Sequence, residues 1–252
     1  MRTRHTHVDG ALSVLAVLGV LGVGTACQAQ NQVSQPPAQA PTSSQAAPPS
    51  SYSPALAAKV KVAFLGDYYL GKLEREGDVP QVWSLLAKRL GCRGLPFMMG
   101  VDGYVSSGDT PSFQDRVPMI VAAKPDIVVV AGGHFDIPLG DEVRAAADKV
   151  LGDLRQGVEG VDLIVLGPMW HSGNAPFAMN EIDAELRQVA EEYGATFVDP
   201  IKDGWFVDAR AKGLLVVNEV DLTDAGRDHV ADLLEPVLRP LVAARAQGRG
   251  GR

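Results

Sequence analysis

From residue 60 onward, short unbroken apolar runs alternate with longer stretches in which apolar residues return every three or four positions. The runs at 60–65 (VKVAFL), 126–131 (DIVVVA), 162–166 (DLIVL) and 195–198 (ATFV) are rich in β-branched residues and bounded by turn formers, which predicts strands. Residues 95–101 (LPFMMGV), interrupted by a proline, predict a weaker one, second in order. Helical spacing marks 79–90, 113–123, 141–155, 180–193 and 223–244, with Gly140, Gly157 and Gly194 as punctuation. Pro236 and Pro240 predict a kink or late break in the last helix, because proline lacks the amide hydrogen that a helix interior uses. Strands recur every ~30–35 residues, the period of βαβ units. Strands apolar on both sides must also be covered on both faces. The pattern therefore predicts an α/β domain over 56–245: three layers, α/β/α, with a five-stranded parallel sheet. Residues 246–252 read as a loose tail.

Before residue 56 the pattern is different. Arg2 and Arg4 precede an apolar run at 11–23, which ends in Gly24, Thr25 and Ala26. This is the layout of a targeting segment, and the run falls short of the ~20 residues a membrane-spanning helix needs. Cys27 follows the small residues as in a bacterial lipoprotein signal, so 1–27 reads as a lipoprotein-type signal peptide with Cys27 lipidated. The alternative is an ordinary secretory signal with Cys27 a bystander. Residues 28–55, rich in Gln, Ser, Pro and Ala, have little to bury and read as a disordered tether. Both readings place the domain outside the cytoplasm, held on the cell membrane in the first and secreted in the second.

Composition narrows the function by exclusion. The formal net charge of −7 has its signs interspersed and leaves no basic stripe for nucleic acid. The two cysteines, Cys27 and Cys92, cannot form a disulfide framework, and His or carboxylate partners at zinc-ligand spacing are missing. Gly132-Gly133 is too short for a phosphate fingerprint. No cofactor is expected.

Candidate chemistry comes from the sheet itself. In an open parallel sheet, ligands bind where the chain leaves the carboxyl ends of the strands. That rule selects Asp67, Tyr68 and Tyr69 after the first strand, and His134, Phe135 and Asp136 after the third. It also selects Trp170 and His171 after the fourth. Asp67, His134, Asp136, Trp170 and His171 are candidates for a pocket rim. Asp67, His134, Asp136 and Asp221 could also approach one another as a hard-metal site, although their spacing matches no metal motif.

The segments at these strand ends resemble the blocks of the SGNH (GDSL-type) hydrolases. FLGDYYLGK is similar to the first block, VDGYVSSG with FQDRVP to the second, KPDIVVVAGGHFD to the third, and VNEVDLTDAGRDHVA to the last. The resemblance implies a flavodoxin-like 2-1-3-4-5 sheet. It maps the family's nucleophilic serine to Tyr68, its oxyanion-hole glycine to Gly103 and its oxyanion-hole asparagine to Phe135. The aspartate and histidine of the last block map to Asn218 and Asp221. Only Gly103 is kept. A phenol with an ordinary pKa of about 10 beside a carboxylate base of about 3.9 leaves roughly 8 kcal/mol against proton transfer. A phenylalanine in place of an oxyanion donor costs about 3–4 kcal/mol more.

The sequence thus predicts a cell-envelope lipoprotein with a catalytically degenerate SGNH-like domain, acting by binding or as a scaffold. Its partners would be the membrane, through the anchor, and an envelope carbohydrate or lipid ligand. The alternative is an esterase or acyltransferase of carbohydrate or lipid esters with rearranged residues, His134 serving as base.

Overall fold

The computed structural model describes residues 60–71, 78–106, 110–171, 174–216 and 221–250. Its organising element is β1 (Lys61–Gly66), in which Val62, Ala63, Phe64 and Leu65 are all fully buried. Alternation along a strand sends successive side chains to opposite faces, and here the two faces serve two cores. Val62 and Phe64 join the core built with α1 (Val82–Leu90) and α5 (Asp224–Gly250). Ala63 and Leu65 join the core built with α2 (Phe113–Ala123), α3 (Gly140–Gly157) and α4 (Phe177–Glu192). Each such side chain contributes roughly 1.5–3 kcal/mol by leaving water.

Around β1 lie β2 (Arg93–Met98), β3 (Ile127–Ala131), β4 (Asp162–Leu166) and β5 (Thr196–Val198), all parallel, in the order β2-β1-β3-β4-β5. The predicted class and strand order are both present. The register brings the carboxyl ends level, since Gly66 pairs with Met98 and Ala131, Ala131 with Leu166, and Leu166 with Val198. Every loop leaving a strand therefore starts from the same edge.

Three differences from the sequence reading have physical causes. The second strand begins at Arg93 and stops at Met98, because Gly100 takes a φ of 137° that ends the extended run. The segment after β3 is not plain loop. It forms a six-residue 3-10 turn, His134–Leu139, entered through Gly133 at φ 107°, a conformation that favours glycine. The last helix neither breaks at its prolines nor gives way to a loose tail at 246; it runs unbroken to Gly250. Leu234, Leu238, Val242 and Ala246 recur every four residues on its buried face, while Pro236 and Pro240 lie on the exposed face. Carbonyls freed by the missing proline amides can there be hydrated. The far end is tied down by Arg245, whose Nε lies 2.7 Å from Asp162 at the start of β4, and by Arg249, paired with Asp126 just before β3.

Among the described residues no helix is long and apolar enough to cross a membrane. The signal segment, Cys27 and the tether lie outside the described residues, as do Ser107 and Asn218.

Candidate functional site

The turn after β1 is set by Asp67. Its Oδ1 accepts the Tyr69 N–H at 2.9 Å, and its own N–H donates to the Ala131 carbonyl of β3. This folds the chain so that Tyr68 and Tyr69 stack, ring centres 4.6 Å apart and 23° from parallel. Phe135, from the turn after β3, meets Tyr68 at 5.2 Å. His134 meets Tyr69 edge-on at 5.3 Å, and Tyr69 also reaches His171 and Phe206, each at 6.4 Å. Trp170 stacks on His171 at 5.7 Å. The sheet's carboxyl edge is thus capped by one continuous aromatic wall. Two open clefts flank it. One, of about 450 Å³, is lined by Tyr68, Tyr69, Gln81, Asp221 and Arg227. The other, of about 510 Å³, is lined by Trp170, His171, Phe206 and the chain that follows β5.

Protonation along the wall follows burial. The Tyr68 phenol is pushed up to about 12 by burial; interaction with the Tyr69 hydroxyl works against this, and the nearby Asp67 and Asp221 add to it. Tyr69 is raised further, again chiefly by burial. Burial thus holds both phenols toward their protonated form. His134 Nδ1 lies 3.1 Å from the Met169 carbonyl, which can only accept. Nδ1 therefore carries the proton and Nε2 is the free acceptor. Burial lowers the His134 pKa, the Met169 bond opposes this, and His171 adds to it. The hydrogen bond anchors His134 to the β4 loop.

Gly103 is kept for a reason the sequence does not reveal. Its N–H donates to the Ser106 carbonyl at 2.8 Å and is spent within its own loop. The same loop wraps the Asp136 carboxylate, which accepts the N–H groups of Tyr104, Val105 and Ser106 at 3.0, 3.0 and 2.8 Å. A Cβ on Gly103 would fall 2.3 Å from Asp136 Oδ2. The glycine makes room for a carboxylate that holds the β2 and β3 loops together. Asp136 is fully buried and is not a pocket-rim residue.

Below the wall lies a buried charge cluster absent from the sequence reading. Asp102 and Arg116 are both fully buried, with Arg116 Nη2 2.7 Å from Asp102 Oδ2, a contact without hydrogen-bond alignment. Arg116 also donates to the Phe97 carbonyl at 2.5 Å and the Ser112 carbonyl at 3.2 Å, and its guanidinium sits 4.9 Å over the Phe113 ring. Burial pushes Asp102 up to about 6 despite Arg116. Asp67 is raised well above the usual carboxylate range, by burial first, against its Tyr69 hydrogen bond, with Asp102 and Asp136 adding repulsion. It too is buried, and it is not on the rim. Its sequence signal was present: Phe113, Arg116, Val117 and Ile120 share one helical stripe, so Arg116 stands on the apolar face of α2.

The remaining candidates fall into place around these. Asp221 is exposed and lines the cleft beside Tyr68, while Trp170 and His171 line the other cleft. Asp67, His134, Asp136 and Asp221 do not converge, and among the described residues no three His, Cys, Asp or Glu side chains form a metal-holding group.

A parallel 2-1-3-4-5 sheet, with its candidate site loops leaving the carboxyl ends of β1, β2 and β3, defines a flavodoxin-like α/β domain. The chain belongs to the GDSL-like Lipase/Acylhydrolase family, whose sequence profile matches residues 66–228. It is 32% identical over 189 residues to the GDSL lipase Rv0518 of Mycobacterium tuberculosis, covering 70% of this chain and 80% of that one. Among solved structures it resembles TesA, with a TM-score of 0.58 at 18% identity over 72% of this chain and 99% of that one. It also resembles the lipase/acylhydrolase from Enterococcus faecalis, with a TM-score of 0.57 at 13% identity over 72% and 96%. At those identities the two structures speak for the fold alone. The family is one of serine ester hydrolases.

Proposed function

We propose that this domain is a catalytically degenerate member of its family, acting at the cell envelope by binding or as a scaffold. The observation that carries the reading is Tyr68, a protonated phenol stacked between Tyr69 and Phe135 at the nucleophile position. Acyl transfer needs a nucleophile, a matched base and donors aimed at the developing oxyanion. Tyr68 is held neutral, Phe135 has no donor, and the Gly103 N–H is committed to Ser106. The test is turnover of p-nitrophenyl acetate and butyrate by the full chain. Wild type should not exceed the buffer rate, and Tyr68→Ser alone should restore nothing. Clear turnover that Tyr68→Phe abolishes would overturn the reading and make the phenol a nucleophile.

The second reading, an esterase or acyltransferase of carbohydrate or lipid esters with rearranged residues, is favoured by the neutral acceptor at His134 Nε2. It is favoured also by the curated relative, which is named a lipase. In that case His134→Gln should remove a measurable wild-type activity.

The envelope location rests on the signal-like start and on Cys27 ahead of a Pro/Gln-rich stretch. Expressed in bacteria, wild type should partition into detergent, whereas Cys27→Ala should become soluble or stay unprocessed. Equal partitioning at equal mature mass would remove the anchor from the proposal.

A further inference from the structure

The cleft on the β4–β5 side of the aromatic wall is built differently from the cleft beside Tyr68. Its lining combines aromatic surface, from Trp170, His171 and Phe206, with three different polar groups: the amide of Asn174, the carboxylate of Asp208 and the guanidinium of Arg210. Its volume, about 510 Å³, falls within the ~300–1,000 Å³ of small-molecule sites. The aromatic part is held rigidly, because Trp170 stacks on His171, both touch His134, and His134 is fixed to the Met169 carbonyl. Rigid aromatic surface is useful for recognition because it loses little freedom on binding.

The backbone adds an independent observation. Asp208 adopts φ 57°, one of only two non-glycine residues among those described with positive φ. Aspartate is among the few residues with a Cβ that enter the left-handed region readily, so the turn itself accommodates it. Glycine would fit the turn more easily, and the neighbouring Gly204 and Gly213 take the same conformation.

The chemistry of the lining selects among ligands. An acyl chain would need an enclosed apolar channel, and this cleft is open and edged with charge. A phosphate or other anion would face the Asp208 carboxylate together with Arg210. A neutral sugar suits both halves: its C–H face, slightly positive, packs on the electron-rich face of an aromatic ring. Its vicinal hydroxyls both donate and accept, which an amide, a carboxylate and a guanidinium can match.

We propose that this cleft binds a short neutral oligosaccharide, one ring stacked on Trp170 and its hydroxyls held by Asn174, Asp208 and Arg210. The proposal rests on the binding reading above and adds the place and the ligand class.

The experiment titrates the full chain with the trisaccharides of glucose (α- and β-linked), xylose and N-acetylglucosamine. It follows tryptophan fluorescence, with calorimetry as the second readout. At least one trisaccharide should bind with a Kd of about 1 mM or tighter. Trp170→Ala should weaken it about tenfold or more. Asp208→Gly should weaken binding while leaving the melting midpoint unchanged or higher, a combination that a purely structural role for Asp208 would not produce. Absence of binding by all four sugars, or equal binding by wild type and Trp170→Ala, overturns the proposal. Ester turnover is measured on the same samples: turnover with sugar binding intact would sink the degenerate-enzyme reading and leave the cleft standing, and no binding without turnover would do the reverse.

Discussion

Replacing Arg116 with methionine should lower the stability of the domain by about 3–5 kcal/mol, the range for removing one partner of a buried ion pair. Arg116 and Asp102 have no exposed surface, and Arg116 also satisfies two partly buried carbonyls, of Phe97 and Ser112. Methionine keeps much of the packing over Phe113 but leaves Asp102 and Asp67 without their shared cation. The deficit should depend on pH, and its sign can be stated. Burial already pushes Asp102 up to about 6 from the usual 3.8, and Arg116 works to lower it. Without the guanidinium its pKa must rise further. A carboxyl raised in the folded state contributes stability that is complete below its unfolded pKa and is lost as pH rises through the folded one. The variant should therefore fall furthest behind wild type near pH 8 and recover part of the difference near pH 5, where Asp102 can fold protonated. Arg116→Met combined with Asp102→Asn should regain most of the loss at pH 8, since no buried charge is then left unpaired at this pair. Urea unfolding at the two pH values checks this. A deficit that is the same at both would mean that packing, not charge, is what Arg116 supplies.

The fold was legible because its signals are local. Apolar β-branched runs at regular spacing, separated by stretches of helical period, leave few alternatives to a parallel sheet with two helical layers. Where the reading missed, the deciding contact was distant in sequence. Nothing within 223–250 tells that Arg245 and Arg249 reach Asp162 and Asp126, which lie far earlier in the chain. The site shows the same division. Tyr68, Tyr69 and Phe135 stand at strand ends and were found there, but the wall also draws on Phe206, which only the tertiary fold brings beside Tyr69. Asp67 and Asp136 were read as rim residues because ligands bind where the chain leaves the carboxyl ends of parallel strands. The structure turns both inward onto backbone N–H groups. Arg116 is the exception that could have been read, for a cation in the middle of an apolar helical stripe already implies a buried anion.

That inward turn of Asp136 changes what the surviving motif glycine means, and the second large effect follows from it. Gly103→Ala should destabilise the domain by about 3–6 kcal/mol. The backbone at Gly103 is not in the left-handed region, so the cost is steric: the new Cβ would sit 2.3–2.6 Å from the Asp136 carboxylate. Moving that carboxylate sacrifices two or more of its three hydrogen bonds from Tyr104, Val105 and Ser106. Hydrogen bonds to a charged group are worth about 1.5–3 kcal/mol each. Asp136→Ala should cost a similar amount, because it leaves the same three N–H groups without their acceptor. The two losses should not add. Once Asp136 is alanine the space beside Gly103 is empty, and Gly103→Ala in that background should cost less than about 1 kcal/mol. Chemical unfolding of wild type, both single variants and the double variant gives the coupling directly. If Gly103 were retained instead to aim its N–H at a reacting oxygen, alanine would keep that N–H. The two substitutions would then act independently, so additive losses would overturn the packing explanation and return Gly103 to the chemistry of the site.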